Sequence, residues 1–143
     1  MSFNSIVVRL YHILIQSDGK VNDAEVSLGK RMIEAERITE FEFNYMLNAL
    51  KEKDMATIAK ECIADLKRCK REHQIRAVAW MCVLANSDGF MDKAEWHFIY
   101  KVYHKELTLP LDAVMEVQKE LARKVQALMT PTPSMSTARV SAF

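Results

Sequence analysis

The chain has 143 residues, half of them hydrophobic, with 20 basic against 19 acidic side chains and a formal net charge of +1. This length is enough for one ordinary domain with a real core, and the balanced charge lacks the basic excess of a nucleic-acid binder. Only three glycines and three prolines are present, so long stretches run without a helix breaker and a mostly α structure is expected.

The apolar residues recur at helical spacing almost throughout. A first helix is expected from about Ser5 to Ser17, burying Ile6, Leu10, Ile13 and Leu14. A second runs from about Asn22 to Glu36 with Leu28, Met32 and Ile33 inward. Thr39, with Glu42 three residues on, forms a capping box that opens a third helix. Asp54 caps a fourth, which carries Ile58, Cys62 and Leu66. Between Cys69 and Glu72 the chain either bends or continues into a fifth helix that ends near Ser87. This fifth segment is apolar all round, which places it in the middle of a bundle and makes Trp80 a core residue. A sixth helix is expected from about Asp92 to Lys105. Pro110 suits the first turn of a seventh, which runs to about Met129 with Val114, Val117, Leu121, Val125 and Leu128 as its inward stripe. The fold expected is therefore an all-α, single-domain bundle of about seven helices over residues 1–129. The Ser-, Thr- and Pro-containing tail, residues 130–143, holds Pro131 and Pro133 and cannot continue the helix.

Three cysteines, Cys62, Cys69 and Cys82, form no CxxC pair, a usage that suits buried thiols in a reducing compartment. The opening MSFNSIVVRL carries Arg9 inside its apolar run and no small-residue cleavage site, so it does not read as a signal peptide. The longest apolar run, Ala77 to Ala85, is far short of the ~20 residues that span a bilayer. The expectations are no membrane span and a cytoplasmic location.

Two nonapeptides stand out: SDGKVNDAE from Ser17 to Glu25 and SDGFMDKAE from Ser87 to Glu95. Their flanks match in character too, Val8 with Val78, Ile13 with Val83, Leu14 with Leu84, Leu28 with Phe98 and Met32 with Val102. A helix, Asp-Gly turn, helix unit therefore occurs twice. Gly19 and Gly89 suit a helix end that enters the left-handed region. Asn22 with Glu25, and Asp92 with Glu95, resemble capping boxes. Those roles need no ligand. Asp18 and Asp88 are different, because an acid at a helix C-terminus faces the negative end of the dipole. A backbone N–H in the turn or a cation would compensate.

The spacing also touches the calcium loop of the EF-hand, which wants oxygen ligands at places one, three and five, Gly at six and Glu at twelve. With Gly19 or Gly89 at the sixth place, Asp18 and Asp88 take the fifth and Glu25 and Glu95 the twelfth. Leu14 and Leu84 fall at the first place and offer no oxygen, so a full EF-hand is not expected. A divalent cation of Ca or Mg type would have two carboxylates per turn, with backbone carbonyls and water.

The segments LIQSDGKVNDAE and LANSDGFMDKAE resemble the two Asp-Gly turns of the TerB-like family of tellurite-resistance proteins, and are similar to the N-terminal region of DjlA-type membrane co-chaperones. The resemblance covers roughly Ser5 to Met129. It implies a compact all-α bundle in which the two units are related by pseudo-symmetry. It also implies a divalent-metal site at Asp18, Glu25, Asp88 and Glu95, with Asp23 and Asp92 as secondary candidates. Lys20 and Lys93, inside the turns, could neutralise a carboxylate without any metal, so a structural role for the turns stays open.

Nothing else in the sequence reads as a catalytic site. There is no phosphate-cradling Gly-rich loop and no nucleophile elbow, and His97 and His104 stand too far apart on one helix to share an ion, so they read as surface residues. The reading is a stress-response binding module rather than an enzyme, with a protein partner, no nucleic acid, and room for a homodimer.

Overall fold

The structure is a computed structural model that describes residues 2–16, 23–87 and 92–129. Seven α-helices follow in order: α1 Phe3–Gln16, α2 Asp23–Ala35, α3 Glu40–Leu50, α4 Met55–Lys67, α5 Arg71–Ala85, α6 Lys93–Tyr100 and α7 Leu111–Met129. A π-helical segment, Lys101–Glu106, prolongs α6. No strand occurs among the described residues, and no helix among them is long and apolar enough to cross a membrane. The fold is the all-α bundle that the apolar spacing predicts.

Two helices form the centre. α5 packs against α1, α2, α6, the π-helical segment and α7, and α1 packs against α2, α3, α4 and α5. Their sequences explain this. α5 buries the whole run Ala77 to Ala85 with Trp80 at its heart, and α1 buries Ile6 to Tyr11 and Ile13 to Ile15 almost without interruption. A helix with no polar face must be wrapped on all sides. The one charge inside α1 is Arg9. Its guanidinium meets Asp65 of α4 at 2.9 Å, with the two side chains only 10% and 12% exposed, while Nε donates to the Ser5 carbonyl at 3.2 Å.

Side chains set the helix ends. Thr39 Oγ1 accepts from Glu42 N at 3.1 Å, the first half of the expected capping box. Asp54 holds an N-cap backbone conformation, and its carboxylate accepts the Thr57 hydroxyl at 2.5 Å. Between α4 and α5 the chain bends rather than continues, because buried Gln74 donates to the carbonyls of Leu66 at 3.1 Å and Lys67 at 3.4 Å, satisfying the end of α4. α2 closes with a Schellman motif: Ile38 N donates to Ile33 O at 2.8 Å and Arg37 N to Glu34 O at 3.1 Å, with Arg37 at φ 60. Just beside it, Glu36 Oε2 accepts both Arg76 Nε at 2.7 Å and the Trp80 indole N–H at 2.5 Å, tying the end of α2 to α5.

Two expectations need correction. The sixth helix does reach Lys105, but its last part is wound as a π-helix. It ends where Leu107 N donates to Val102 O and Leu109 N to Tyr103 O, with Thr108 at φ 53. On α7, Val114, Leu121 and Val125 are buried and Val117 half-buried, but Leu128 is 38% exposed. Val125 already lines a groove with Asn86 and Ser87 at the end of α5, and Leu128 lies almost one turn further on.

Candidate functional site at the Asp-Gly turns

Each central helix leads into one of the repeated turns, α1 toward α2 and α5 toward α6. Asp18 and Gly19 of the first turn, and Asp88 and Gly89 of the second, lie outside the described residues. What the structure describes is the scaffold on either side of them.

Glu25 stands in the first turn of α2 and Glu95 in the first turn of α6. Both are only 4% exposed. Glutamate is almost never this buried unless its charge is compensated. Part of the compensation is local, since helix N-termini present free N–H groups and the positive end of the dipole. The framing residues are matched as well: Val8 and Val78, Leu14 and Leu84, and Met32 and Val102 are all fully buried. Asp23 is exposed. Asp92 is the N-cap of α6, with Oδ2 accepting from Ala94 N at 2.9 Å, so its carboxylate already has a backbone task.

Sequence reasoning did not signal the surroundings of Glu25. The ring of Tyr11 lies against Gly29, one turn further along α2, and the lack of a side chain there lets α1 and α2 close together. Burial pushes the Tyr11 hydroxyl above its ordinary pKa, and the charge of Glu25 pushes it further the same way. The only available hint was a glycine inside an otherwise periodic helix.

The flanks of the two turns share a groove of about 370 Å³. Ala24 and Leu28 of α2, Asn86 and Ser87 at the end of α5, and Ala122 and Val125 of α7 line it. The Ser87 hydroxyl, next to Asp88, is shut off from solvent and has no hydrogen-bond partner among the described residues. Among those residues no group of three or more His, Cys, Asp or Glu side chains could hold a metal ion. A cation at the turns would therefore draw on Asp18 and Asp88 in addition to Glu25 and Glu95.

The remaining reactive side chains have structural surroundings. Cys62 and Cys82 are buried, and burial pushes their thiols up to about 12 and about 11, so both stay protonated at neutral pH. His97 and His104 are exposed, His104 stacking on Tyr100 with ring centroids 4.9 Å apart. Trp96 is 38% exposed and leans on Tyr100 and Tyr103.

No curated protein and no solved structure matches the chain. Residues 5–114 match the TerB family, described as tellurite resistance protein TerB. That span takes in most of α1, all of α2 through α6, both Asp-Gly turns and the opening of α7. With the all-α bundle and both turn motifs inside the matched region, the chain belongs to the TerB family of tellurite-resistance proteins.

Proposed function

We propose that this chain is a non-enzymatic binding module of the tellurite-resistance type, acting in a stress response, whose two Asp-Gly turns are equivalent sites for a divalent cation of Ca or Mg type. Asp18 with Glu25 would hold it at the first turn, and Asp88 with Glu95 at the second. The matched burial of Glu25 and Glu95 carries this reading. A carboxylate kept out of water at the same place in both units suits a cation, which such a hard oxygen ligand would bind. The Ser87 hydroxyl, which has no hydrogen-bond partner among the described residues, adds a further oxygen next to Asp88 in the sequence.

A second reading has its own support. Asp92 caps α6 through Ala94 N, and a glutamate three residues after an N-cap is a normal capping partner. On that reading the turns are structural and the chain is a protein-interaction domain of co-chaperone type.

Glutamine separates the two. Glu25→Gln with Glu95→Gln preserves a capping acceptor but removes the charges a cation needs. The measurement is thermal stability of the wild type and of this variant, with Ca²⁺, with Mg²⁺ and with chelator. The cation reading expects a metal-dependent rise in melting temperature that the glutamines abolish, as does Asp18→Asn with Asp88→Asn. A wild type indifferent to millimolar metal and chelator would leave the structural reading standing.

A further inference from the structure

The two faces of α4 differ in charge. Glu61 and Asp65 point into a cleft against α1 and α3, where Lys53 pairs with Glu61 at 2.9 Å and Arg9 with Asp65. Lys60 and Lys67 point the other way, into a groove of about 520 Å³ against the π-helical segment. The floor of that groove is Ala56, Ala59, Ile63 and Ala64, and Lys101 and Glu106 complete its rim. Three lysines thus face one carboxylate, and Glu106 is already held by Lys67 at 2.9 Å.

The neighbouring helix continues the pattern. Residues three or four apart share a helix face, and the face through α6 and the π-helical segment reads Lys93, Trp96 and His97, Tyr100 and Lys101, His104 and Lys105. All except half-buried Tyr100 are exposed. Of the acids of this stretch, Glu95 is buried and Glu106, on the groove's rim, is paired with Lys67. His104, four residues after Tyr100, stacks on its ring. The groove sets three lysines around an apolar floor, on a chain whose net charge is only +1.

We infer that the groove between α4 and the π-helical segment is a docking surface for an acidic amphipathic helix of a partner protein. Charge complementarity selects the occupant. Carboxylates on such a helix would face Lys60 and Lys101, while its apolar side chains cover the alanine and isoleucine floor. A phosphate backbone fits less well, because it must pass Glu106 and finds no wider basic field on a nearly neutral chain. The surface is separate from the Asp-Gly turns, and its occupancy does not depend on what they hold.

The test uses a labelled synthetic helical peptide of Glu, Leu and Ala as probe, titrated into the full chain and followed by anisotropy. Saturable binding is expected that weakens at higher salt. Lys60→Glu with Lys101→Glu should weaken it at least roughly tenfold, Lys60→Ala with Lys101→Ala less, and Arg123→Glu on α7 should leave it unchanged. The inference is overturned if nothing saturates by millimolar peptide, if the same peptide with Lys in place of Glu binds equally well, or if the double reversal binds as tightly as wild type. Tighter binding of an oligothymidylate, or of phosphatidylserine vesicles, than of the acidic peptide would likewise overturn it in favour of a nucleic acid or a membrane.

Discussion

The ring of Tyr11 lies so close over Gly29 that a Cβ there would fall 2.3 Å from Tyr11 Cε1 and 2.8 Å from Cζ. The ring has little freedom to move, being 4% exposed and packed on Phe43 with centroids 5.5 Å apart. Gly29→Ala sets a helix-propensity gain of ~1 kcal/mol against an overpacking cost of about 1–3 kcal/mol. The expected net result is a loss of about 1 kcal/mol, read from urea unfolding. Adding Tyr11→Leu should restore most of it. A Gly29→Ala variant more stable than wild type would show that the ring gives way.

The Arg9–Asp65 pair should behave as a buried ion pair. Asp65→Ala leaves the Arg9 guanidinium, 2.9 Å from its present partner and only 10% exposed, without its carboxylate. Breaking such a pair costs about 3–5 kcal/mol, whereas replacing both members with apolar residues is often neutral. Arg9→Met with Asp65→Leu should therefore be far more stable than Asp65→Ala alone. A double-mutant cycle measures this, and additive effects of the single changes would refute it.

Stability should fall on the alkaline side. The folded state raises Cys62 from 9.0 to about 12, chiefly by burial and against the pull of Arg9, and raises Cys82 from 9.0 to about 11 by burial. A raised folded pKa gives stability that is fully present below the unfolded value and is lost as pH rises toward the folded one. The window therefore opens near pH 9 and extends to about 12, with Cys62 alone accounting for about 4 kcal/mol across it. Tyr11, raised by burial, acts in the same direction. Denaturant midpoints against pH should decline through this range, and Cys62→Ala should flatten the decline. An unchanged slope in that variant would remove the thiol from the explanation.

Thr108 sits at φ 53 between the π-helical segment and α7. A β-branched residue in the left-handed region is strained by roughly 1–2 kcal/mol. Thr108→Gly should raise the melting temperature, and Arg37→Gly, at φ 60 in the Schellman motif of α2, should do so by a similar route. Calorimetry decides between this and a neutral or lowered value, which would mean that glycine's greater freedom in the unfolded chain outweighs the relief.

The sequence disclosed the helices because each is long, periodic and bounded by residues with a clear local task, such as Thr39 at the start of α3 and Asp92 at the start of α6. It did not disclose the π-helical segment. The residues of KVYHKE would suit an α-helix equally well, and the choice between i→i+4 and i→i+5 bonding is made by what packs around them. Arg9 was legible only as a break in an apolar run, since its partner Asp65 stands on another helix. At the turns, the recurrence of Glu25 and Glu95 was plain from spacing, but their depth was not. Depth depends on how α1, α2, α5 and α7 close around them, and on the space left at Gly29. The groove between α4 and the π-helical segment was hidden for the same reason, because it joins lysines from two helices that no local pattern connects.

The placement of α1 and α5 has a mechanical consequence. Both are wrapped by other elements along their length, so neither can unwind locally and both should open only when the whole bundle opens. Each also runs directly to an Asp-Gly turn at its end. A force or a ligand acting at either turn would then bear on the end of a helix that is packed against several others.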